Sequence, residues 1–307
     1  MRGSAPAEQR AERIERIGDH AARPLLMRPA LALLPLLALL FALLVWPFAH
    51  LAVQSLLPTG GILGAAGGRR GFSLANYAQI VGDPLYRGET VHSLVLSFAV
   101  AAASIVLCLA PAWVMARREF LGKRLLRALL TLPMSFSGII VGFLAVIMLG
   151  RIGFLPRMLE RLTGRDLLAG AAYQLTGLVI AYVYFEIPRA TLSLESSLRN
   201  FDFQLLAASA TLGAGRWQRL RYVLLPGLWP ALLSTFAITF CVSMGSFGVA
   251  LILSRRFSLL PLEIYQQLTG FLDTGLAAAM GVVLVAVSFT VNYGLRALAE
   301  RRTGSDA

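Results

Sequence analysis

Three stretches of this chain, Thr90–Ala116, Gly227–Ser254 and Thr274–Leu295, contain no Asp, Glu, Lys or Arg. An α-helix rises 1.5 Å per residue, so roughly 20 apolar residues cross a hydrocarbon core about 30 Å thick. Each stretch meets that length. Composition agrees, with 57% hydrophobic and 14% charged residues and a mean hydropathy of +0.70, against about 25% charged in soluble proteins. Lipid offers no partners to backbone N–H and C=O groups, so a spanning chain satisfies them within helices or a closed barrel. These apolar runs have helical length. The expected fold class is an all-α polytopic membrane protein.

Hydropathy predicts six transmembrane helices: Pro29–Leu57, Val91–Met115, Leu125–Leu149, Gly170–Leu194, Leu228–Leu253 and Gly275–Leu295. The first is overlong, which implies tilt or extension beyond the bilayer. It follows a polar, Arg- and Glu-rich segment and is too long for a signal-peptide core, so no cleavable signal is expected. The domain reading is a cytoplasmic tail at 1–28, a transmembrane domain at 29–298 and a cytoplasmic tail at 299–307.

The net charge of +12 does not mark a nucleic-acid binder, because the basic residues lie in loops without a stripe of stacking aromatics. They read instead as topology signals. With the N-terminus inside, the cytoplasmic segments hold six Arg in residues 1–28, then Arg117, Arg118, Lys123, Arg124, Arg127, Arg199, Arg216, Arg219, Arg221, Arg296, Arg301 and Arg302. The opposite side holds Arg69, Arg70, Arg87, Arg151, Arg157, Arg161, Arg165, Arg255 and Arg256. This excess places both termini in the cytoplasm. Cys108 and Cys241 sit inside predicted spans as small packing residues, and no cluster has metal-ligand spacing. The glycine-rich segment 58–88 lacks a nucleotide fingerprint and reads as a flexible connector, with an anion cradle as the alternative.

The segment between spans four and five reads FDFQLLAASATLGAGRWQRLRYVLLPGLWP from Phe201 to Pro230. Leu and Ala make Gln204–Leu212 a good helix, and Gly213 supplies a stop or sharp turn. A second helical piece, Trp217–Leu225, runs into Pro226, which ends or kinks it. Arg216, Arg219 and Arg221 then face water or lipid phosphate.

This segment resembles the coupling loop of type I ATP-binding-cassette (ABC) importer permeases, E-A-A-x3-G-x9-I-x-L-P. The motif's second position falls on Ala208, the third on Ser209, the glycine on Gly213, the aliphatic position on Val223, and Leu225-Pro226 complete it. Ala207 stands where the motif has Glu, so no carboxylate is available there for a partner. The resemblance covers residues 73–298 and implies a translocation subunit with six spans and a coupling helix between the fourth and fifth. Implied partners are two cytoplasmic ATPase subunits, a second permease that differs in sequence, an extracytoplasmic solute-binding protein and membrane lipid. No cofactor is expected on this chain; ATP and Mg belong to the partner ATPase. The only lysine, Lys123, is followed by Arg124 where a P-loop needs Ser or Thr, so the chain is not an enzyme.

Phe72-Ser73-Leu74-Ala75-Asn76-Tyr77, Ser246–Ala250 and Leu259–Tyr265 resemble permeases of the polyamine, phosphonate, sulfate, thiamine and ferric-iron group. Spermidine or putrescine is the first expectation, then 2-aminoethylphosphonate or thiamine, with sulfate or ferric iron behind. In span four, Glu186 is costly in lipid and must face protein or a polar path. Arg189 lies three residues on, within pairing reach. Glu186 and Arg189 are read as translocation-path candidates or as a structural pair or a second-permease contact, and Glu195 and Arg199 as an ion pair. Ser243 and Ser246 are further path candidates, with Ser135, Ser137 and Thr239 supplying other hydroxyls whose alternative is bonding to their own helix. Gly138 and Gly142 form a small-xxx-small face for helix packing. An ion-coupled transporter and a non-transporting scaffold are the alternatives from other classes.

Overall fold

A computed structural model describes residues 33–57, 71–164, 171–254 and 257–303. The chain divides into two units, 1–54 and 55–307. The described part of the first unit is α1 (Leu33–Ser55), a helix that extends one residue past the division. Leu, Phe, Trp and Ala cover α1 on every side and are exposed. A helix apolar all round is one that lipid can surround.

Every regular element among the second unit's described residues is a helix. Asn76 Nδ2 donates to the Ser55 and Leu57 carbonyls at 2.9 and 3.1 Å, and Tyr77 and Ser55 share a hydroxyl bond at 2.8 Å. The short α2 (Ala75–Gly82) is thereby fastened to residues 55–57. Asp83 then caps α3 (Pro84–Arg117), accepting from Leu85 N at 2.9 Å, with Pro84 in the first turn. Both choices suit a helix start, where N–H groups lack intrahelical partners.

Along α3, Ser93, Ser97, Ala101, Ser104, Cys108 and Ala112 are buried. This small-residue stripe lets α7 (Leu175–Arg199) and α10 (Leu225–Met244) approach closely. The α7 side presents Leu178, Tyr182, Ala190, Leu194 and Leu198. α10 in turn packs on α7 and on α13 (Thr274–Thr303). Three buried apolar clusters follow from these contacts, one around Leu178, Tyr182 and Val249, one around Leu260, Leu276 and Met280, and one around Leu194, Leu198 and Leu228.

Five described segments are long and apolar enough to cross a membrane: Leu33–Ser55, Pro84–Arg117, Gly138–Thr163, Arg216–Met244 and Thr274–Ala299. The fourth predicted span corresponds to α7, which has the length at 25 residues but carries Glu186, Arg189 and Glu195. It is preceded by a 3-10 turn at Ala171–Tyr173.

Two predicted spans are broken. The third, 125–149, divides into α4 (Lys123–Thr131), a 3-10 turn at Leu132–Ser135 and α5 (Gly138–Leu149). Pro133 removes an N–H donor, and Phe136 and Ser137 are extended. α6 (Phe154–Thr163) follows α5 after a turn at 150–153. The fifth, 228–253, divides into α10 and α11 (Phe247–Leu253) at Gly245, with Ser246 extended. The freed Ser246 carbonyl accepts from Tyr182 Oη at 2.6 Å, so the break is satisfied internally. α12 (Leu260–Thr269) packs back onto α13 and α3.

Gly138 and Gly142 face α11. A Cβ on Gly248 would lie 2.7 Å from Ile139 N and 2.9 Å from Gly138 C, and one on Gly142 would lie 2.9 Å from Ile252 Cβ. The α5–α11 contact is therefore backbone on backbone at Gly138 and Gly248, and backbone against the Ile252 side chain at Gly142. Gly248→Val is expected to cost roughly 1–3 kcal/mol by overpacking and to lower the melting temperature of the detergent-solubilised protein. Gly294→Ala on α13 meets open space and should be neutral or slightly stabilising, since Ala exceeds Gly in helix propensity by about 1 kcal/mol. Equal melting of the two variants would contradict this packing.

Candidate functional site: an exposed loop helix keyed to three long helices

Beyond α7 the chain turns at Asn200. Asp202 Oδ1 accepts from Gln204 N at 2.9 Å and opens α8 (Gln204–Thr211). None of the residues of α8 is buried. Ala207 and Ala208 are exposed, and Ser209 is half-buried with its hydroxyl donating to Leu206 O at 3.0 Å. Leu206 alone reaches the cluster of Leu194, Leu198, Leu224 and Leu228.

The stop after α8 is a complete Schellman arrangement. Gly213 has φ +84, its N–H bonds Ala210 O at 3.1 Å, and Ala214 N bonds Ser209 O at 3.1 Å. A left-handed residue is required at that point, which glycine adopts without Cβ strain. Gln218 Oε1 then accepts from Gly215 N at 2.8 Å and starts α9 (Arg216–Arg219).

Pro226 does not end the second piece. α9 passes through a π turn at Leu220–Leu224 directly into α10. Proline lacks an N–H and its ring crowds the carbonyl four residues back; the wider turn ahead of Pro226 accommodates both effects. The loop's second half is thus the first part of a long helix. Val223 and Leu225 are half-buried there and Pro226 is exposed.

The base of α8 is held by aromatic packing. Phe203 meets Trp113 of α3 edge-on at 5.5 Å and Phe201 at 5.3 Å. The Arg117 guanidinium lies 4.7 Å from the Phe203 ring centroid and 5.4 Å from that of Trp113. Gly227 of α10 receives the Phe201 edge, where a Cβ would lie 2.5 Å from Cε2. Trp113, Phe201 and Phe203 have no role in the sequence reading, and Arg117 enters there only as a topology signal. The available signal was an aromatic pair two residues apart immediately before the helix.

Glu195 is 3% exposed, and its Oε1 accepts from Arg199 at 2.9 Å and from Arg127 of α4. The second partner comes from 68 residues away, beyond what local spacing reveals. Glu186 is 1% exposed and takes Arg189 Nη1 on both carboxylate oxygens, at 2.8 and 2.9 Å. A buried pair with both oxygens engaged avoids leaving a bare charge in an apolar setting.

Other polar groups lie between α3, α7 and α10. Ser97 Oγ approaches Met244 Sδ at 3.7 Å, and Ser193 and Thr235 share a bond at 2.9 Å. The hydroxyls of Ser104, Thr239 and Ser243 are buried without a partner among the described residues. Ser246 contributes its carbonyl to Tyr182, and Ser135 and Ser137 are exposed. Glu89 of α3 and Glu263 of α12 are also buried, and Gln267 Nε2 donates to Glu263 Oε1 at 2.8 Å and to Tyr86 Oη at 3.3 Å. Glu89 was missed because the predicted span began at Val91. No group of three or more metal-ligating side chains occurs among the described residues.

Comparison with known proteins gives this geometry its context. The chain is 27% identical over 233 residues to the sulfate transport system permease protein CysT of Escherichia coli, covering 75% of this chain and 82% of that one. It is 33% identical over 215 residues to the molybdenum transport system permease protein ModB of Mycobacterium bovis, covering 66% and 78%. The fold is similar to a chain of a bacterial alginate ABC transporter solved with an alginate pentasaccharide-bound periplasmic protein, with a TM-score of 0.71, 15% identity and coverage of 93% and 98%. Residues 111–304 match the family described as the binding-protein-dependent transport system inner membrane component. That match takes in α7, the exposed loop helix and the helix running from it. The chain belongs to this family of ABC importer permeases, multi-pass inner-membrane subunits that are not enzymes and leave ATP hydrolysis to a separate subunit.

Proposed function

We propose that α8 is the coupling helix through which two cytoplasmic ATPase subunits drive this permease. The observation that carries the reading is a helix with no buried residue whose base is keyed by Phe201 and Phe203 into α3 and α10. An exposed helix offers a surface to a partner, and a packed base carries its displacement into the long helices. Ala207 and Ala208 are presented to the partner with Ser209 half-buried beside them, Gly213 fixes the turn, and Val223, Leu225 and Pro226 carry the motion into α10. Ala207 leaves the contact without a carboxylate, so shape and apolar packing carry it.

In this reading α7 is a sixth span despite its charges, because Glu186 and Glu195 are neutralised by arginines, and both termini are cytoplasmic. A second permease and an extracytoplasmic binding protein complete the importer. The path runs along α3, α7 and α10, where Glu186, Arg189, Ser243 and the neighbouring hydroxyls put polar capacity inside the packed helices. The secondary-transporter and scaffold alternatives fall away with the family assignment. For the solute, relatives named for sulfate and molybdenum transport support an oxyanion, with sulfate already among the sequence expectations, ahead of spermidine or putrescine.

Gly213→Asp, which forces a side chain into φ +84, is expected to abolish ATP-dependent uptake by the importer in proteoliposomes while the protein still inserts. Normal uptake by that variant would contradict the coupling assignment. Phe203→Ala removes aromatic and cation–π contacts worth together about 2 kcal/mol and should leave ATP hydrolysis running with uptake reduced by up to roughly thirtyfold. Parallel loss of hydrolysis and uptake would point to failed assembly instead. In competition assays, unlabelled sulfate should suppress uptake of the labelled solute more than spermidine does; the reverse order would restore the polyamine reading.

A further inference from the structure

Four carboxylates are buried among the described residues, Glu89, Glu186, Glu195 and Glu263, and they are accommodated in two different ways. Glu186 and Glu195 take arginines. Glu89 and Glu263, each 4% exposed, form no ion pair with any described residue. Glu89 lies in the second turn of α3 and Glu263 in the first turn of α12. The two carboxyls meet across the contact between those helices, at the end of α3 opposite Trp113.

The local sequence brings them together. Ser93, one turn beyond Glu89, accepts from Leu260 N at 2.8 Å and fixes the start of α12 against α3. Gln267, one turn beyond Glu263, donates its Nε2 to Glu263 Oε1 at 2.8 Å and to Tyr86 Oη at 3.3 Å. Tyr86 and Leu260 belong to the apolar cluster with Ile80, Leu276 and Met280, so the two acids sit in an apolar setting. Ser258 lies beside the Glu89 carboxyl. Glu89 Oε2 is shut off from water, and no nitrogen or hydroxyl donor completes a bond to it.

The other titratable groups around this spot supply no compensating positive charge. Asp83 and Asp273 act on Tyr86 alongside the two glutamates, and each caps a helix, accepting from Leu85 N and Leu276 N at 2.9 Å. Arg87 and His92 of α3 are exposed and pair with neither glutamate. α2 and the first turns of α13 contain no basic residue. A hard cation such as calcium needs about six to eight oxygen ligands, and no group of three metal-ligating side chains occurs among the described residues. Two bare carboxylates in contact away from water repel strongly, and one carboxyl oxygen bonds another only through a hydrogen.

We infer that Glu89 and Glu263 bind a single proton between them, and that this proton ties α12 to α3. One carboxyl donates its O–H to an oxygen of the other, while the Gln267 amide holds Glu263 in place. Removing the proton leaves two like charges in an apolar contact, which drives the helices apart. The tie is therefore complete at acidic pH and is lost as the pH rises. The inference does not depend on α8 being the coupling helix, which packs against the other end of α3.

The test uses the assembled importer, titrated from mildly acidic to alkaline pH and followed by infrared difference spectroscopy. A protonated carboxyl has a C=O stretch that a carboxylate lacks. Wild type should lose the intensity of one such group as the pH rises, and Glu89→Gln and Glu263→Gln should each lack that change. In each variant an amide N–H takes the place of the shared proton. The melting temperature of both variants should then stay flat over the range in which that of wild type falls. Identical difference spectra for wild type and both variants overturn the site, and so does the same pH dependence of melting in all three. Calcium or sodium ions that raise the melting temperature of wild type but not of Glu89→Gln, at matched ionic strength, would assign the pair to a cation and also overturn it.

Discussion

Packing at one end of α3, α7 and α10 sets the properties of the rest of the molecule. Cys108, Ala112, Ala190, Leu194, Leu198, Leu224 and Leu228 meet there, and the small members let the helix axes come close enough for the leucines to interlock. Interiors packed at crystal-like density transmit displacement. The only apolar side chain that α8 sends into this cluster is Leu206, and its base is clamped by Phe201 and Phe203. Without that cluster α8 would be a loosely tethered helix. With it, α8 is an extension of the three long helices.

Several of the buried polar groups are answered locally. Where the chain breaks a helix inside its apolar region, a nearby side chain takes up the freed backbone group, as Tyr182 does for Ser246. The buried carboxylates Glu186 and Glu195 are met by arginines, from one turn away and from α4, while Glu263 is met by the Gln267 amide. Gly138 and Gly248 supply the complementary device, removing side chains so that the broken segments α5 and α11 pack through their backbones. A π turn does the same for Pro226, keeping continuous a helix that proline would otherwise interrupt. Continuity from Arg216 to Met244 matters to the proposed mechanism, because a hinge at Pro226 would absorb motion that the helix is meant to pass on.

Much of this was legible in the sequence because membrane helices announce themselves by length and lack of charge. The uncharged runs gave α3, α10 and α13, and the glycine at 213 gave the turn after α8 because few other residues adopt its φ. The breaks in the third and fifth predicted spans were not legible: hydropathy averages over 3-10 turns and extended residues that remain apolar. Pro226 was read through its local effect, and the compensating π turn depends on what Leu220–Leu224 pack against. A Glu186–Arg189 pair was one of the readings their spacing allowed, and the two are in contact, whereas Arg127 with Glu195 and Trp113 with Phe203 join distant segments and leave no periodic trace. The proposed roles of the loop residues rest on motif spacing, to which the geometry adds the clamped base.

The central claim is that α8 moves with its own chain as one rigid piece. Spin labels at Ala208→Cys on α8 and Val106→Cys on α3, in a background with Cys108 and Cys241 replaced by Ala, report the distance between the two helices by pulsed electron resonance. In the assembled importer this distance is expected to stay the same with and without bound nucleotide, while the distance between Ala208→Cys and a label on the second permease changes. A nucleotide-dependent change of several ångströms between α8 and α3 within this chain would contradict the account.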